Sequence, residues 1–334
     1  MNAWPQKPMG IGQILDRTFN VYRKHFGKFF LLTLIFFAPL YIAQEIMLND
    51  LTSMSMLPDT NVEPFSDEYF ENMAGNEPDF DNVWMAVLFL LLIIPLTFLV
   101  STPISTATAV FMVKREMDGH EVSMKEEIKR AFSRFWPLAG SMTVYGLIAI
   151  GMFLAIFLVL TIVVVVIAAI GAGSISELAI EDFLSDPATL IIGGVLYVLV
   201  LMALMLVPSY FLIRWAFFMP AVAMETGGIG LSKSWNLTKG NFWRVFGIYF
   251  VIMLMTSTFL FAFQMIAIFA LQNSIIGLLL QNLLTLLISP LGLIAYAITY
   301  FDLVLRKEGA DLEAMLLGPS ALIQPQEEPE MKHE

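Results

Sequence analysis

Between residues 138 and 170 the chain carries no charged side chain, and five other long apolar stretches lie on either side of that one. An apolar run beyond about 18 residues has the length of a bilayer crossing. Hydrocarbon offers no water to the backbone, so each such segment must bond its own N–H and C=O groups and fold as a helix. The runs fall at about 29–46, 83–113, 138–170, 189–218, 242–270 and 275–305. They predict an all-α, polytopic membrane protein with six transmembrane helices. Composition points the same way. Hydrophobic residues make up 58% of the chain and charged residues 14%, against roughly 25% charged in soluble domains. The first run has no small-residue cleavage site and reads as a retained span.

Charge orders the spans. With six crossings both termini share one side, and every Lys and Arg falls on that side or at its boundary. The connections on the other side are acidic. One carries Asp59, Glu63, Asp67, Glu68, Glu71, Glu77, Asp79 and Asp81, the other Glu177, Glu181, Asp182 and Asp186, with no cation in either. The positive-inside bias then places both the N and C termini in the cytoplasm.

Three of the spans are preceded by a short amphipathic segment. In the first, Ile11, Ile14, Leu15, Phe19, Tyr22 and Phe26 recur at helical spacing, with Asp16, Arg17, Asn20, Arg23 and Lys24 opposite. Such a helix is expected to lie in the cytoplasmic interface. The second opens at Ser123, with Glu126 three residues on as a capping box, and carries Ile128, Ala131, Phe132 and Phe135 on its apolar side. The third covers about 229–237.

The chain therefore reads as three pseudo-repeated hairpins, about 11–119, 123–228 and 229–313, in one membrane domain of 1–318. Phe19, Phe132 and Trp235 take matching places, as do Pro103, Pro208 and Pro290, then Gly119, Gly227 and Gly309. Parallel repeats would set the hairpins about an axis along the membrane normal; a chance recurrence of amphipathic-then-apolar order is the alternative. The acidic, proline-rich tail at 319–334 reads as disordered.

Three segments carry a family resemblance: MGIGQILDRTFNVYRKHFGKFF at 9–30, METGGIGLSKSWNLTKGNFWRVFGIY at 224–249 and YFDLVLRKEGADLE at 300–313. Together they resemble the membrane domain found ahead of some bacterial glycerophosphoryl diester phosphodiesterases, and its stand-alone relatives. The resemblance implies a multi-helix protein of the bacterial plasma membrane. It carries over no phosphodiesterase activity, which belongs to a separate soluble barrel with no counterpart after Glu313.

Candidate sites are few. The basic corners hold Arg17, Arg23, Lys24 and Lys28; Lys129, Arg130 and Arg134; and Lys233, Lys239 and Arg244. They fit contact with anionic lipid headgroups or a phosphate-bearing ligand, at about 1 kcal/mol per cation near an anionic leaflet; ordinary topology and snorkelling are the simpler account. Arg214, Glu225, Asp302 and Arg306 sit near the inner ends of spans four and six, where an Arg214–Asp302 ion pair would lower the cost of burying either charge. Thr97, Ser101, Thr102, Ser105, Thr256, Ser257, Thr258, Gln264, Gln281, Asn282, Thr285 and Ser289, with Pro103 and Pro290, either line a solute path through broken helices or hydrogen-bond between helices. The small-residue face of Ser101, Ser105 and Ala109 suits contacts within or between chains.

There is no cysteine, and His25, His120 and His333 lack metal-ligand spacing. No phosphate loop, nucleophile elbow or HExxH pair is present. No cofactor, metal or nucleic acid is expected. The first expectation is a non-enzymatic scaffold or accessory protein that holds membrane lipid or a partner at its basic cytoplasmic face. The alternative is a transporter or channel component.

Overall fold

The computed structural model describes residues 8–48, 56, 66, 83–174, 187–225, 228–271 and 274–317. Among them every regular element is helical. Helix α1 spans Ile11–Lys24, α2 Phe26–Leu48, α3 Val83–Leu88, α4 Thr102–Met117, α5 Met124–Ser133 and α6 Phe135–Ser174. Then come α7 at Pro187–Trp215, α8 at Phe218–Met224, α9 at Leu231–Thr238, α10 at Phe242–Leu271 and α11 at Ile275–Leu317. Six helical segments are long and apolar enough to cross a membrane: Phe26–Met47, Trp84–Met117, Phe135–Ile162, Leu204–Met224, Phe242–Leu271 and Ile275–Gly309. By length and composition this is a multi-pass membrane protein. The acidic connections, the Gln272–Asn273 turn, Gly227 and the tail lie outside the described residues.

Prolines shape the second crossing. Pro95 has no N–H, and its ring crowds the carbonyl one turn back. The backbone answers with π-helical turns on both sides, Phe89–Ile93 and Leu96–Ser101. Thr97 Oγ1 donates to Ile93 O at 2.7 Å and Thr102 Oγ1 to Thr97 O at 2.9 Å, each bonding a carbonyl of the widened stretch. Pro39, Pro208 and Pro290 sit inside continuous helices.

Helix α11 is the centre of the packing, meeting α1, α2, α4, α9 and α10. Ile14 and Val21 of α1, Phe29 and Leu32 of α2, Val110 and Val113 of α4, Val245 and Ile248 of α10, and Ile298 and Tyr300 of α11 share one core. That core gathers where short helices turn into long ones. Away from it the apolar side chains open outward: Leu147 is 63% exposed, Phe157 69%, Met253 69% and Phe261 65%. Exposure on this scale is rare on a soluble monomer, and in a bilayer it is the lipid-facing surface.

Three details depart from the sequence reading, and a fourth chooses between two alternatives it left open. The Ser123 side chain makes no cap bond to α5; Glu126, its expected partner, pairs instead with Arg115 at 2.7 Å. The fourth crossing breaks at 216–217 and resumes as α8. The helix of the last crossing does not stop at Gly309, because α11 continues to Leu317. Finally Ser101, Ser105 and Ala109 are buried inside this chain, which assigns that small-residue face to internal packing.

Candidate functional site at the helix joints

Three short helices lead directly into long ones, and most of the chain's Lys and Arg residues collect near these joints. Between α1 and α2 the backbone turns at His25. Glu116, at the end of α4, receives Lys24 Nζ at 2.6 Å and His25 Nε2 at 2.7 Å. Lys28 Nζ donates to the Val122 carbonyl at 2.7 Å. Nearby, Arg115 Nε meets the buried Glu127 at 2.6 Å. Arg130 lies over the Phe111 ring, 4.1 Å from its centroid. One corner is thus tied by Lys24 and His25 to the end of α4, and by the Lys28 hydrogen bond to the loop after it.

Between α5 and α6 stands Arg134. Its guanidinium donates to Val222 O at 3.2 Å, Ala223 O at 2.8 Å and Glu225 O at 2.8 Å. The last carbonyls of a helix have no partner within it, and a cation there also meets the negative end of the dipole. Arg134 caps α8 in this way. Lys233 pairs with Glu225. The two border an open cleft of about 760 Å³ lined also by Gly230, Ser232, Asn236 and Lys307. Burial pushes the Lys233 pKa down, opposed by the charge of Glu308.

The break between α7 and α8 leaves backbone groups that α9 and α11 bond. Ser234 Oγ accepts from Phe217 N and donates to Arg214 O, both at 2.9 Å. Thr238 Oγ1 donates to the same carbonyl at 3.1 Å, and Tyr296 OH donates to Ala216 O. An unpaired buried backbone group costs about 1–3 kcal/mol, so these bonds make a closed joint out of a broken helix. Gly230, just before α9, has φ 75°. A Cβ there would stand 2.5 Å from Phe218 O, so only glycine lets α9 approach α8 this closely.

Arg214 belongs to this joint. It is 7% exposed. It donates to Tyr210 OH at 2.9 Å and Trp235 O at 3.0 Å, and stacks 3.9 Å from the Trp235 ring centroid. The expected Arg214–Asp302 pair is therefore not the one that forms. Asp302 is fully buried, and its Oδ2 receives Arg244 at 2.8 Å and Arg306 Nε at 2.9 Å. Its Oδ1 receives the backbone N–H of Met9 at 2.6 Å, while Met9 O accepts from both arginines. Arg214 has a closer set of partners one turn back on α7 and across on α9, and Asp302 meets the cations of its own helix and of α10.

Of the candidate contact residues, Lys24, Arg130, Arg134, Lys233 and Arg244 are committed to bonds within the fold. Arg17 is half-buried. Arg23, Lys129 and Lys239 are exposed and make no hydrogen bond or ion pair among the described residues. The span residues expected along a solute path are not assembled into one lining. Ser101 is buried and Thr258 exposed. Thr258 and Ser289 direct their hydroxyls to carbonyls four residues back, at 2.7 and 2.6 Å. Gln264, Gln281 and Thr285 do converge, on a cleft of about 120 Å³ between α10 and α11.

Sequence reasoning missed Glu116, Glu127, Ser234, Thr238 and the Met9 backbone, which carry most of these bonds. One signal was present: Ser234 and Thr238 sit one helical turn apart, beside the Trp235 of the matched repeat position. Among the described residues, no three or more His, Asp or Glu side chains converge to hold a metal ion.

Residues 83–303 match the model of a family described as a domain of unknown function, DUF7847, and the chain belongs to that family. The matched region takes in Arg134, Arg214, Arg244 and Asp302 and leaves out α1, α2 and Arg306. No curated protein and no solved structure matches the chain. Nothing in these comparisons links it to the glycerophosphoryl diester phosphodiesterase membrane domain.

Proposed function

We propose that this protein is a non-enzymatic scaffold or accessory protein of the bacterial plasma membrane. Both termini are cytoplasmic, and the basic cytoplasmic face holds anionic lipid headgroups or a protein partner. One observation carries the reading: each joint leaves at least one cation outward, three to seven residues ahead of an exposed aromatic ring in the chain. Arg23 precedes Phe26, which is 38% exposed; Lys129 precedes Trp136, at 81%; Lys239 precedes Trp243, at 79%. Tryptophan beside cations is the signature of the headgroup level, and each cation there contributes about 1 kcal/mol toward an anionic leaflet.

The like build of the three joints supports reading the chain as three hairpin repeats in one domain. A relationship to the phosphodiesterase membrane domain is part of the proposal, carried by the three segments quoted above. Lys24, Arg130, Arg134, Lys233 and Arg244 are engaged within the fold, which leaves Arg23, Lys129 and Lys239, together with the exposed Lys125 of α5, as the surface that anions would meet first.

The test is retention of anionic lipid. In nanodiscs of mixed phosphatidylglycerol and phosphatidylcholine with identical chains, native mass spectrometry counts the lipids that stay with the protein. The Arg23→Gln, Lys129→Gln, Lys239→Gln triple variant should lose phosphatidylglycerol several-fold. Unchanged retention overturns the reading. The alternative, a transporter or channel component, rests on the Gln264–Gln281–Thr285 cleft. It predicts solute flux in vesicles of purified protein, abolished by Gln281→Leu.

A further inference from the structure

Helices α10 and α11 run antiparallel, with Arg244 against Asp302 near one end and Gln264 beside Gln281 towards the other. At that second place they part around the cleft of about 120 Å³, whose remaining walls include Leu260, Phe263 and Leu284. Gln281 is exposed and Gln264 half-buried. Neither side-chain amide makes a hydrogen bond among the described residues. The Thr285 hydroxyl is engaged within its own helix, donating to Gln281 O at 3.0 Å, so it donates to neither amide.

The surroundings of these amides are apolar in both directions along the helices. On one side Phe261 is 65% exposed and Leu283 44%; on the other Ile266 is 58% exposed and Leu279 54%. At 1.5 Å per residue the amides stand about 10 Å short of the helix ends at Leu271 and Ile275. They therefore lie within the lipid-facing band. Hydrocarbon offers them no water, and a polar group left without a partner there is costly. On membrane helices such amides find their partners on another helix.

Three features select the partner. An amide carries two N–H donors and an acceptor carbonyl, so it complements its own copy. A two-fold axis along the membrane normal holds both chains in one orientation and returns each residue to the same depth. The Gln264–Gln281 layer of one chain then stands opposite the same layer of the other. Finally, no Asp, Glu, Lys or Arg occurs from 245 to 301, so no like charges oppose the approach.

We propose that the Gln264–Gln281 cleft is the centre of a two-fold interface with a second copy of this chain, closed by amide–amide hydrogen bonds across the axis. The interface accounts for the cleft without a solute path. It does not depend on what the basic face holds.

The experiment uses the full chain, dye-labelled at Glu121→Cys and reconstituted into phosphatidylcholine vesicles over a range of protein densities. Stepwise photobleaching counts the subunits in each particle. The wild type should pair, with the paired fraction rising with density. The Gln264→Leu, Gln281→Leu double variant should need about tenfold higher density or more for the same fraction, since each interhelical bond contributes several-fold. Neither amide is bonded within the chain, so the double variant should keep the wild-type melting temperature. In a second measurement Phe263→Cys, on the cleft wall, should form an interchain disulfide under mild oxidation, and Phe157→Cys, lipid-facing on α6, should not. A wild type that stays single at every density overturns the proposal, and is the result expected if lipid or a different protein covers the cleft. So does a double variant that pairs as well as the wild type, or cross-linking at Phe157→Cys as complete as at Phe263→Cys. Phosphatidylglycerol retention should be unchanged by the two Gln→Leu substitutions, so this interface and the lipid reading above are scored separately.

Discussion

Asp302 accepts the backbone N–H of Met9 at 2.6 Å, joining residues 293 positions apart in the chain. The same carboxylate neutralises Arg244 and Arg306, whose guanidinium groups in turn grip the Met9 carbonyl. Removing one member of such a buried set leaves the others uncompensated, at about 3–5 kcal/mol. Asp302→Ala should therefore unfold at markedly lower temperature in detergent, as read by intrinsic fluorescence. Arg306→Met, which leaves Asp302 with Arg244 and Met9, should be milder.

The same node gives a test of which arginine it contains. A double-mutant cycle of Arg244→Met with Asp302→Asn should show coupling of about 0.5–3 kcal/mol, as contacting residues do. The cycle of Arg214→Met with Asp302→Asn should be additive, since the two share no partner. Coupling of Arg214 with Asp302 as strong as that of Arg244 would contradict the geometry.

Arg214 itself needs its planar fork. Lysine keeps the charge but cannot bond Tyr210 and Trp235 O while stacking on the indole. Arg214→Lys is expected to lower stability by about 2 kcal/mol, the scale of a desolvated cation–π contact. Equal thermal stability of Arg214→Lys and wild type would show that the stacking contributes nothing.

Two glycines separate strain from crowding. Gly119 and Gly230 share φ 75°, yet a Cβ at Gly119 meets nothing within 4 Å, while at Gly230 it meets Phe218 O at 2.5 Å and Val222 Cγ2 at 2.8 Å. Gly119→Ala should cost about 1–2 kcal/mol from the left-handed backbone alone. Gly230→Ala should cost clearly more, because α9 must also back away from α8. Similar melting temperatures for the two variants would argue that the α8–α9 approach is soft.

Topology is directly accessible because the chain has no cysteine. Single Asp67→Cys and Lys129→Cys variants, treated with a membrane-impermeant maleimide on intact cells, should label from opposite sides: Asp67→Cys readily, Lys129→Cys only after lysis. Labelling of both from outside would sink the six-crossing arrangement.

The long helices were legible because the bilayer reduces the problem to length and polarity: 83–113 and 242–270 could hardly be anything else. The joints were harder to read. Ser234 and Thr238 act on the backbone of α7, and no side-chain pattern announces which carbonyl a distant hydroxyl will meet. The Met9 contribution is a peptide group, identical at every residue. The Arg214–Asp302 expectation failed because proximity to the same membrane surface says nothing about azimuth around the bundle, and Arg244 stands on the side that Asp302 faces.

Helix α11 runs on past Gly309 to Leu317 as one continuous helix. At 1.5 Å per residue the overhang beyond Gly309 is about 12 Å. Anything tethered after Leu317 would start at a fixed standoff and bearing, as on a mast. Since the foot of that mast is clamped by Asp302, Arg306 and Met9, a sideways load on its tip would act as torque on the clamp.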